Sequence, residues 1–261
     1  MIDTHTHLDQ PEFDFDRHRV ISSCLEMGIQ AMICVGTSAT SSAAAVQLAA
    51  EQAQVYAGVG IQPNHVAEAK EGDWTRVVEL ATNPHVVAVG ETGLDRHWDY
   101  APLDAQQDYF DRHLRLAQEF SLPIVVHCRE AEADLLPMLR EAARRSPLRG
   151  VLHSFSGTPE FAAECLELGL LLSFSGVVTY LNAKFRPLRE IAKTVPEDRL
   201  LIETDSPYLV PHPIRGRQKR NEPANLRLVA ASLAELREVS LDHLAAVTSV
   251  NARQLFRLVR C

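Results

Sequence analysis

Residues 104–127 read DAQQDYFDRHLRLAQEFSLPIVVH, and this stretch holds the unit that repeats along the chain. In its first part Phe110, Leu114, Ala117 and Phe120 recur at helical spacing and fall on one face. Asp104 stands where an N-cap belongs, and Pro123 ends the pattern just after Phe120. Pro123–Val126 is then short and continuously apolar, as expected of a parallel strand buried on both faces. His127 follows it directly.

Outward from this unit, similar apolar runs recur every 25 to 35 residues. They are Met1–Asp3, Gln30–Val35, Val55–Ile61, Val86–Gly90, Pro123–Val126, Gly150–Leu152, Leu170–Phe174 and Arg199–Ile202. Helical spacing fills the gaps, and Pro223–Arg237 and Leu241–Leu258 add two helices at the end. Eight strand-then-helix units predict an α/β fold, a (β/α)8 TIM barrel with an extra C-terminal helix. The rival is a doubly wound open sheet. No G-x-G-x-x-G follows the first strand, which removes the main support for dinucleotide binding.

The length of 261 residues fits one such barrel, since the fold typically takes about 250, and no linker-like run divides residues 1–261. Hydrophobic residues at 46% and charged residues at 23% are those of an ordinary globular protein. The longest uncharged stretch, Met27–Ala50, is broken by Gly28, Gln30, Gly36 and a Thr/Ser cluster, so no membrane span is expected. The formal net charge of −8 repels a polyanion, so a nucleic-acid partner requires positive charge or metal concentrated locally. Cys24, Cys34, Cys128, Cys165 and Cys261 are odd in number and form no C-x-x-C, which suggests reduced thiols in a cytoplasmic enzyme. The first residues, Met-Ile-Asp-Thr-His-Thr-His, show no secretion or transit signal. No obligate protein partner is implied.

Metal-type residues track the strand ends. His5 and His7 follow strand 1, Glu91 follows strand 4, His127 and His153 close strands 5 and 6, and Asp205 follows strand 8. Barrel active sites lie at the C-terminal ends of strands, so these six converge on one mouth. His5 and His7, two apart, point to the same side of an extended strand. A single strand-terminal His is more often hydrogen-bonded core, but six metal-type residues at one end of one barrel form a pattern. Four imidazoles and two carboxylates exceed the three protein ligands of one open catalytic zinc, and two metals sharing a carboxylate fit better.

These residues also resemble a known family, the TatD-type metal-dependent hydrolases of the amidohydrolase-like barrels. The resemblance rests on Ile2–Leu8 (IDTHTHL), Val89–Asp95 (VGETGLD), Leu122–Arg129 (LPIVVHCR) and His153–Gly157 (HSFSG). It continues through Glu203–Leu209 (ETDSPYL), Arg215-Gly216 and Asn221-Glu222-Pro223. It implies a TIM barrel, two divalent cations and hydrolysis, with deoxyribonuclease activity the best-known function. It assigns His5, His7, Glu91 and Asp205 to one metal, and Glu91, His127 and His153 to the other. Glu91 then bridges, and Asp205 has the further task of general base.

The sequence departs from the family at Gly60-Ile61-Gln62-Pro63, where many members have Gly-x-His-Pro, although Gln62 can still donate and accept hydrogen bonds. The loop between Arg215 and Asn221 is slightly longer than usual. Arg215, Arg217, Lys219 and Arg220 on that loop suggest a phosphate clamp, with a solvated basic loop as the plainer alternative. Arg129 either reaches a substrate phosphate or pairs with Glu130 or a neighbouring acid. Asp3 and Glu203 should face inward and either orient a ligand imidazole or bond to nearby backbone. His65 and His97 are candidates for lining the mouth. His18, His85, His113 and His243 read as surface or core, and Cys128 as packing.

The expected activity is that of a two-metal deoxyribonuclease trimming single-stranded or frayed DNA, with DNA as a transient partner. The histidine-rich set suits Zn²⁺, Mn²⁺, Co²⁺ or Ni²⁺, with Mg²⁺ kept open because DNases often use it. One rival is a metal-dependent hydrolase of a small amide or ester, in which the basic loop is irrelevant. The other is a non-catalytic metal or nucleic-acid binding protein, which has no use for an open two-metal water.

Overall fold

The computed structural model describes residues 1–258, so Cys261 lies outside the described residues. Eight strands pair in parallel in chain order: β1 (Ile2–Thr6), β2 (Ala31–Val35), β3 (Val55–Val59), β4 (Val86–Asp95), β5 (Ile124–Arg129), β6 (Gly150–Leu152), β7 (Leu170–Phe174) and β8 (Leu200–Ile202). The helices between them are α1 (Arg17–Glu26), α2 (Ala39–Glu51), α3 (Asp73–Leu80), α4 (Leu103–Phe120), α5 (Glu132–Arg145), α6 (Pro159–Glu167) and α7 (Arg186–Thr194). Two more, α8 (Leu226–Arg237) and α9 (Leu241–Phe256), follow β8.

Alternation along each strand builds two cores. In β2, Met32 and Cys34 pack outward beneath the helices. Ala31, Ile33 and Val35 pack inward with Ile2, Val125, Val151, Leu171 and Leu201. Burial on both faces is why the strands read as unbroken apolar runs. Ala252, Leu255 and Phe256 of α9 join the inner core, and Asn251 donates to the carbonyls of Glu197 and Leu200. The extra helix therefore covers the barrel at the starts of the strands, opposite the histidines.

The barrel closes where β1 meets the segment after β8. Asp205 N donates to His5 O at 2.9 Å, and His7 N to Ser206 O at 2.8 Å. Thr4 Oγ1 donates to Ile202 O at 3.0 Å, and the Asp3 carboxylate accepts from Thr204 N at 2.9 Å and Thr204 Oγ1 at 2.6 Å. The seam of the barrel is thus built from the segments that carry His5, His7 and Asp205.

Several expected boundaries move. Strands 1, 4 and 5 run on past Asp3, Gly90 and Val126 to Thr6, Asp95 and Arg129. Their hydrophobic signal stops where the mouth turns polar, yet the backbone ladder continues, with Gly93 opposite His127 and Asp95 opposite Arg129. Gly93 takes a positive φ of 138°, and a Cβ there would overlap the His127 carbonyl oxygen, so the close β4–β5 approach requires glycine. Asp104 is not the N-cap of α4: Pro102 precedes the helix, and Asp104 sits in its first turn, where a carboxylate favours the helix dipole.

His113, on α4, is a core residue. Its Nδ1 donates to Tyr109 O at 2.6 Å, and its Nε2 accepts from Ile61 N at 3.0 Å. A second ring proton would face the Ile61 N–H, and burial pushes the imidazole down to about 4. The unfolded chain titrates near 6.5, so the stability His113 supplies is complete above that pH and drains away as pH falls through 4. His113→Gln is expected to unfold more easily than wild type at pH 7. That difference should shrink by about 3 kcal/mol by pH 4. Urea unfolding in chelator measures it, and a constant difference across the range would show that His113 does not titrate on unfolding.

Candidate metal centre

At the C-terminal mouth the six expected residues meet. His5 Nε2 and His7 Nε2 lie 3.2 Å apart. Glu91 Oε2 is 3.5 Å and 3.7 Å from them, and Asp205 Oδ1 is 3.8 Å and 3.3 Å. On the other side of the same carboxylate, Glu91 Oε1 lies 2.9 Å from His127 Nδ1 and 3.2 Å from His153 Nε2. One glutamate therefore faces two groups of imidazoles through its two oxygens. Asp205 takes φ of 55°, a left-handed conformation that Asp tolerates, and this points its side chain back over β1.

The donor set fits a cation. Four tetrahedral ligands about 2.1 Å from an ion stand roughly 3.4 Å from one another, and the separations above bracket that spacing. His5–His7–Glu91, His5–His153–Asp205 and Glu91–His127–His153 each place ligand atoms within 4.8 Å of one another. His7 Nδ1 lies 2.9 Å from Val35 O, which leaves Nε2 of the neutral ring as a lone pair aimed at His5 Nε2. At 3.2 Å from another ring nitrogen, that lone pair requires either a proton or a cation between the two.

The electrostatics agree. Burial opposes charge on every member. Even so, the imidazoles hold Glu91 and Asp205 below the ordinary carboxylate range. Asp205 in turn outweighs the burial of His7 and holds that imidazole up at about 9, while Glu91 and Glu203 raise His153. His5 goes the other way, lowered by burial and by His153. Protons on the imidazoles balance two buried carboxylates, the charge a divalent cation supplies more directly.

A model of TatD-related DNases matches residues 2–257, nearly the whole chain. The chain belongs to the TatD-related DNase family. It is 40% identical over 258 residues to an uncharacterized metal-dependent hydrolase of Bacillus subtilis, YabD, covering 99% of each chain. It is 36% identical over 261 residues to a protein of Erwinia amylovora named 3'-5' ssDNA/RNA exonuclease TatD, covering 99% of this chain and all of that one. Among solved structures, the TatD homologue YJJV of Escherichia coli superposes with a TM-score of 0.91 at 30% identity, covering 99% of this chain and 98% of the other.

Around this TatD-type cluster the two buried acids take different parts. Glu203 Oε1 accepts from Ser154 N at 2.6 Å and lies 3.4 Å from His153 Nδ1, so it stands beside a cluster imidazole. Asp3 does not: its carboxylate is taken by Thr204 and the His5 backbone. The β1–β2 register shifts between Asp3 and Thr6, which breaks the simple alternation that aligned Asp3 with His5. The residue that sequence reasoning missed is Asp95. Its Oδ2 lies 2.9 Å from His127 Nε2 and accepts from Asn64 Nδ2 at 3.1 Å. An acid four positions past Glu91 was visible, but a strand ending at Gly90 left it in a loop.

The cluster opens into a cleft of about 640 Å³, lined also by Gln62, Asn64, His65, Trp98, Tyr100, Arg129 and Tyr208. Gln62 Oε1 accepts from Asn64 N at 2.8 Å, and His65 Nδ1 lies 3.3 Å from Glu68. His97 does not line the cleft; it pairs with Glu130 at 2.7 Å. The basic loop is not gathered here either. Arg220 is held by both oxygens of Asp16 at 2.8 Å and by Glu222 at 2.6 Å, over the Phe13 ring, so it braces the loop to α1's approach rather than waiting for phosphate. Arg215 lies over Tyr180, and Arg215, Arg217 and Lys219 are exposed and line none of this cleft.

Proposed function

We propose that this chain is a two-metal phosphodiesterase that trims single-stranded or frayed DNA. The observation that carries this is the Glu91 carboxylate, with one oxygen toward His5 and His7 and the other toward His127 and His153. His5, His7, Glu91 and Asp205 would hold one cation, and Glu91, His127 and His153 the second. The name of the Erwinia amylovora relative supports a single-stranded nucleic-acid substrate.

Bound cations supply Lewis acidity toward the phosphoryl oxygens and a water acidic enough to attack near neutral pH. Imidazole ligands favour Zn²⁺, Mn²⁺, Co²⁺ or Ni²⁺ over Mg²⁺. Val35 O and Asp95 fix the rings of His7 and His127, so the ring nitrogens face the reacting centre without reorganising. Asp205 turns Oδ1 to the imidazoles, and Oδ2 of the same carboxylate takes the proton of the attacking water. Gln62, His65 and Arg129 line the path of the substrate. Arg215, Arg217 and Lys219 contact phosphates farther along the strand. We place the enzyme in the cytosol, a reading supported by the unpaired thiols of Cys24, Cys34, Cys128 and Cys165.

Metal-reconstituted protein tests this on single- and double-stranded DNA, RNA, a simple phosphodiester and an N-acyl amide. Hydrolysis of single-stranded DNA and of the simple phosphodiester is expected, with up to two ions per chain by elemental analysis. Turnover of the amide alone, or fewer than one ion per chain, would replace this reading.

A further inference from the structure

We propose that Trp98 and Tyr100, with the Arg129 guanidinium over the Trp98 ring, form a platform on which unpaired bases stack, setting the enzyme's preference for single strands. This rests on the phosphodiesterase reading above and adds the surface that recognises the strand.

Large exposed aromatic side chains are few here. Among the described residues they are Phe15, Trp98, Tyr100 and Tyr208, and the last three line the cleft that opens from the metal-type cluster. Trp98 is 44% exposed and Tyr100 61%, so neither ring is held by core packing. They stack on each other instead, with centroids 5.5 Å apart and planes 21° from parallel. His97 meets Trp98 edge-on and Arg129 lies over its ring, so the more open face of the pair is that of Tyr100. A flat, half-open aromatic surface of this kind accepts a base face whatever the base, because every base has a π-face. Inside a duplex those faces are covered by neighbouring pairs. A single strand, or a frayed end, presents them.

The platform is tied to the cluster by one carboxylate. Asp95 Oδ1 accepts from the backbone N–H groups of His97 at 2.9 Å and Trp98 at 3.1 Å, while its Oδ2 lies 2.9 Å from His127 Nε2. The segment carrying the rings therefore cannot shift without disturbing the imidazole, which fixes the span from stacked base to reacting phosphate. Arg129 is next in β5 after His127 and Cys128, and its Cζ lies 5.5 Å from the Trp98 ring centroid. Glu130, its sequence neighbour, is paired with His97, and no described carboxylate lies within 4 Å of the Arg129 guanidinium. A guanidinium resting on Trp98 with no carboxylate partner, in a chain of net charge −8, keeps its N–H groups for the phosphate joining the stacked nucleotides. Stacking also supplies attraction that does not depend on overcoming that net charge.

The test compares wild type with Trp98→Ala/Tyr100→Ala on two single-stranded oligomers of equal length and charge, one of thymidylate and one abasic. Wild type is expected to show a KM lower for the base-bearing oligomer by roughly 5- to 150-fold, the range for a base–aromatic stack. The double variant should bring that ratio close to one, and Trp98→Phe/Tyr100→Phe should restore most of it. A wild-type ratio near one, or a double variant that keeps the wild-type ratio, overturns the platform. If wild type hydrolyses neither oligomer, the phosphodiesterase reading has failed, and fluorescence then decides the platform alone. The chain has two tryptophans, so Trp74→Phe leaves Trp98 as the only one. Its quenching by thymidylate but not by the abasic oligomer upholds stacking, and equal or absent quenching rejects it.

Discussion

Asp205→Asn is expected to lower kcat by about 10²–10⁴, the range for a lost general base, with substrate affinity nearly kept. The amide has almost the same shape and retains an oxygen for the site that Asp205 Oδ1 faces beside His5 and His7. What it loses is the ability to take a proton at neutral pH. Asp205 N is bonded to His5 O at the barrel seam through the backbone, so the substitution leaves that closure intact. Steady-state kinetics over a series of metal concentrations separates the two tasks. A rate that stays low at saturating metal identifies proton transfer as the missing step. Recovery of wild-type turnover with a modest rise in metal would make Asp205 a ligand only, and the base would have to be the attacking hydroxide itself.

Glu91→Ala should have the wider effect, on ion content as well as rate. Both oxygens of Glu91 are engaged, one toward each group of imidazoles, so one truncation removes the shared donor from both. Elemental analysis is expected to fall below one ion per chain. Losing the cations forfeits several kcal/mol of transition-state stabilisation, a rate loss of about 10³-fold or more. The fold should survive, because the barrel cores of Val89, Ile124 and Val125 lie below the cluster and do not use the carboxylate. Circular dichroism and the ion count together read this out. Two ions retained by the variant would mean that Glu91 does not bridge.

The two substitutions also separate layers of the site. Asp205 serves one group of imidazoles and the proton, whereas Glu91 joins the two groups. A variant of His127 touches only the second group, whereas His153 also stands against His5 and Asp205. Loss of a single ion by the His127 variant would place the bridging role at Glu91 rather than at that histidine.

The sequence by itself determined the architecture and the members of the cluster. Unbroken apolar runs such as Pro123–Val126 mark strands buried on both faces, and eight of them separated by helical spacing leave few alternatives to a barrel. Once strand order is known, the C-terminal rule brings His5, His7, Glu91, His127, His153 and Asp205 to one end, because it depends on chain direction and not on side-chain detail. Only the tertiary structure decided what each polar group faces. Asp3 and Asp95 are both acids near strand ends, yet a register shift in β1 turns Asp3 to the seam with Thr204. The continuation of β4 beyond Glu91 carries Asp95 to His127. Arg220 looked like its basic neighbours in sequence, but Asp16, distant along the chain, claims it. Hydrophobic periodicity is a local property of the chain and can be read from it. Hydrogen bonds and ion pairs depend on ångström-scale distances between segments far apart in sequence, and packing fixes those only when the barrel closes.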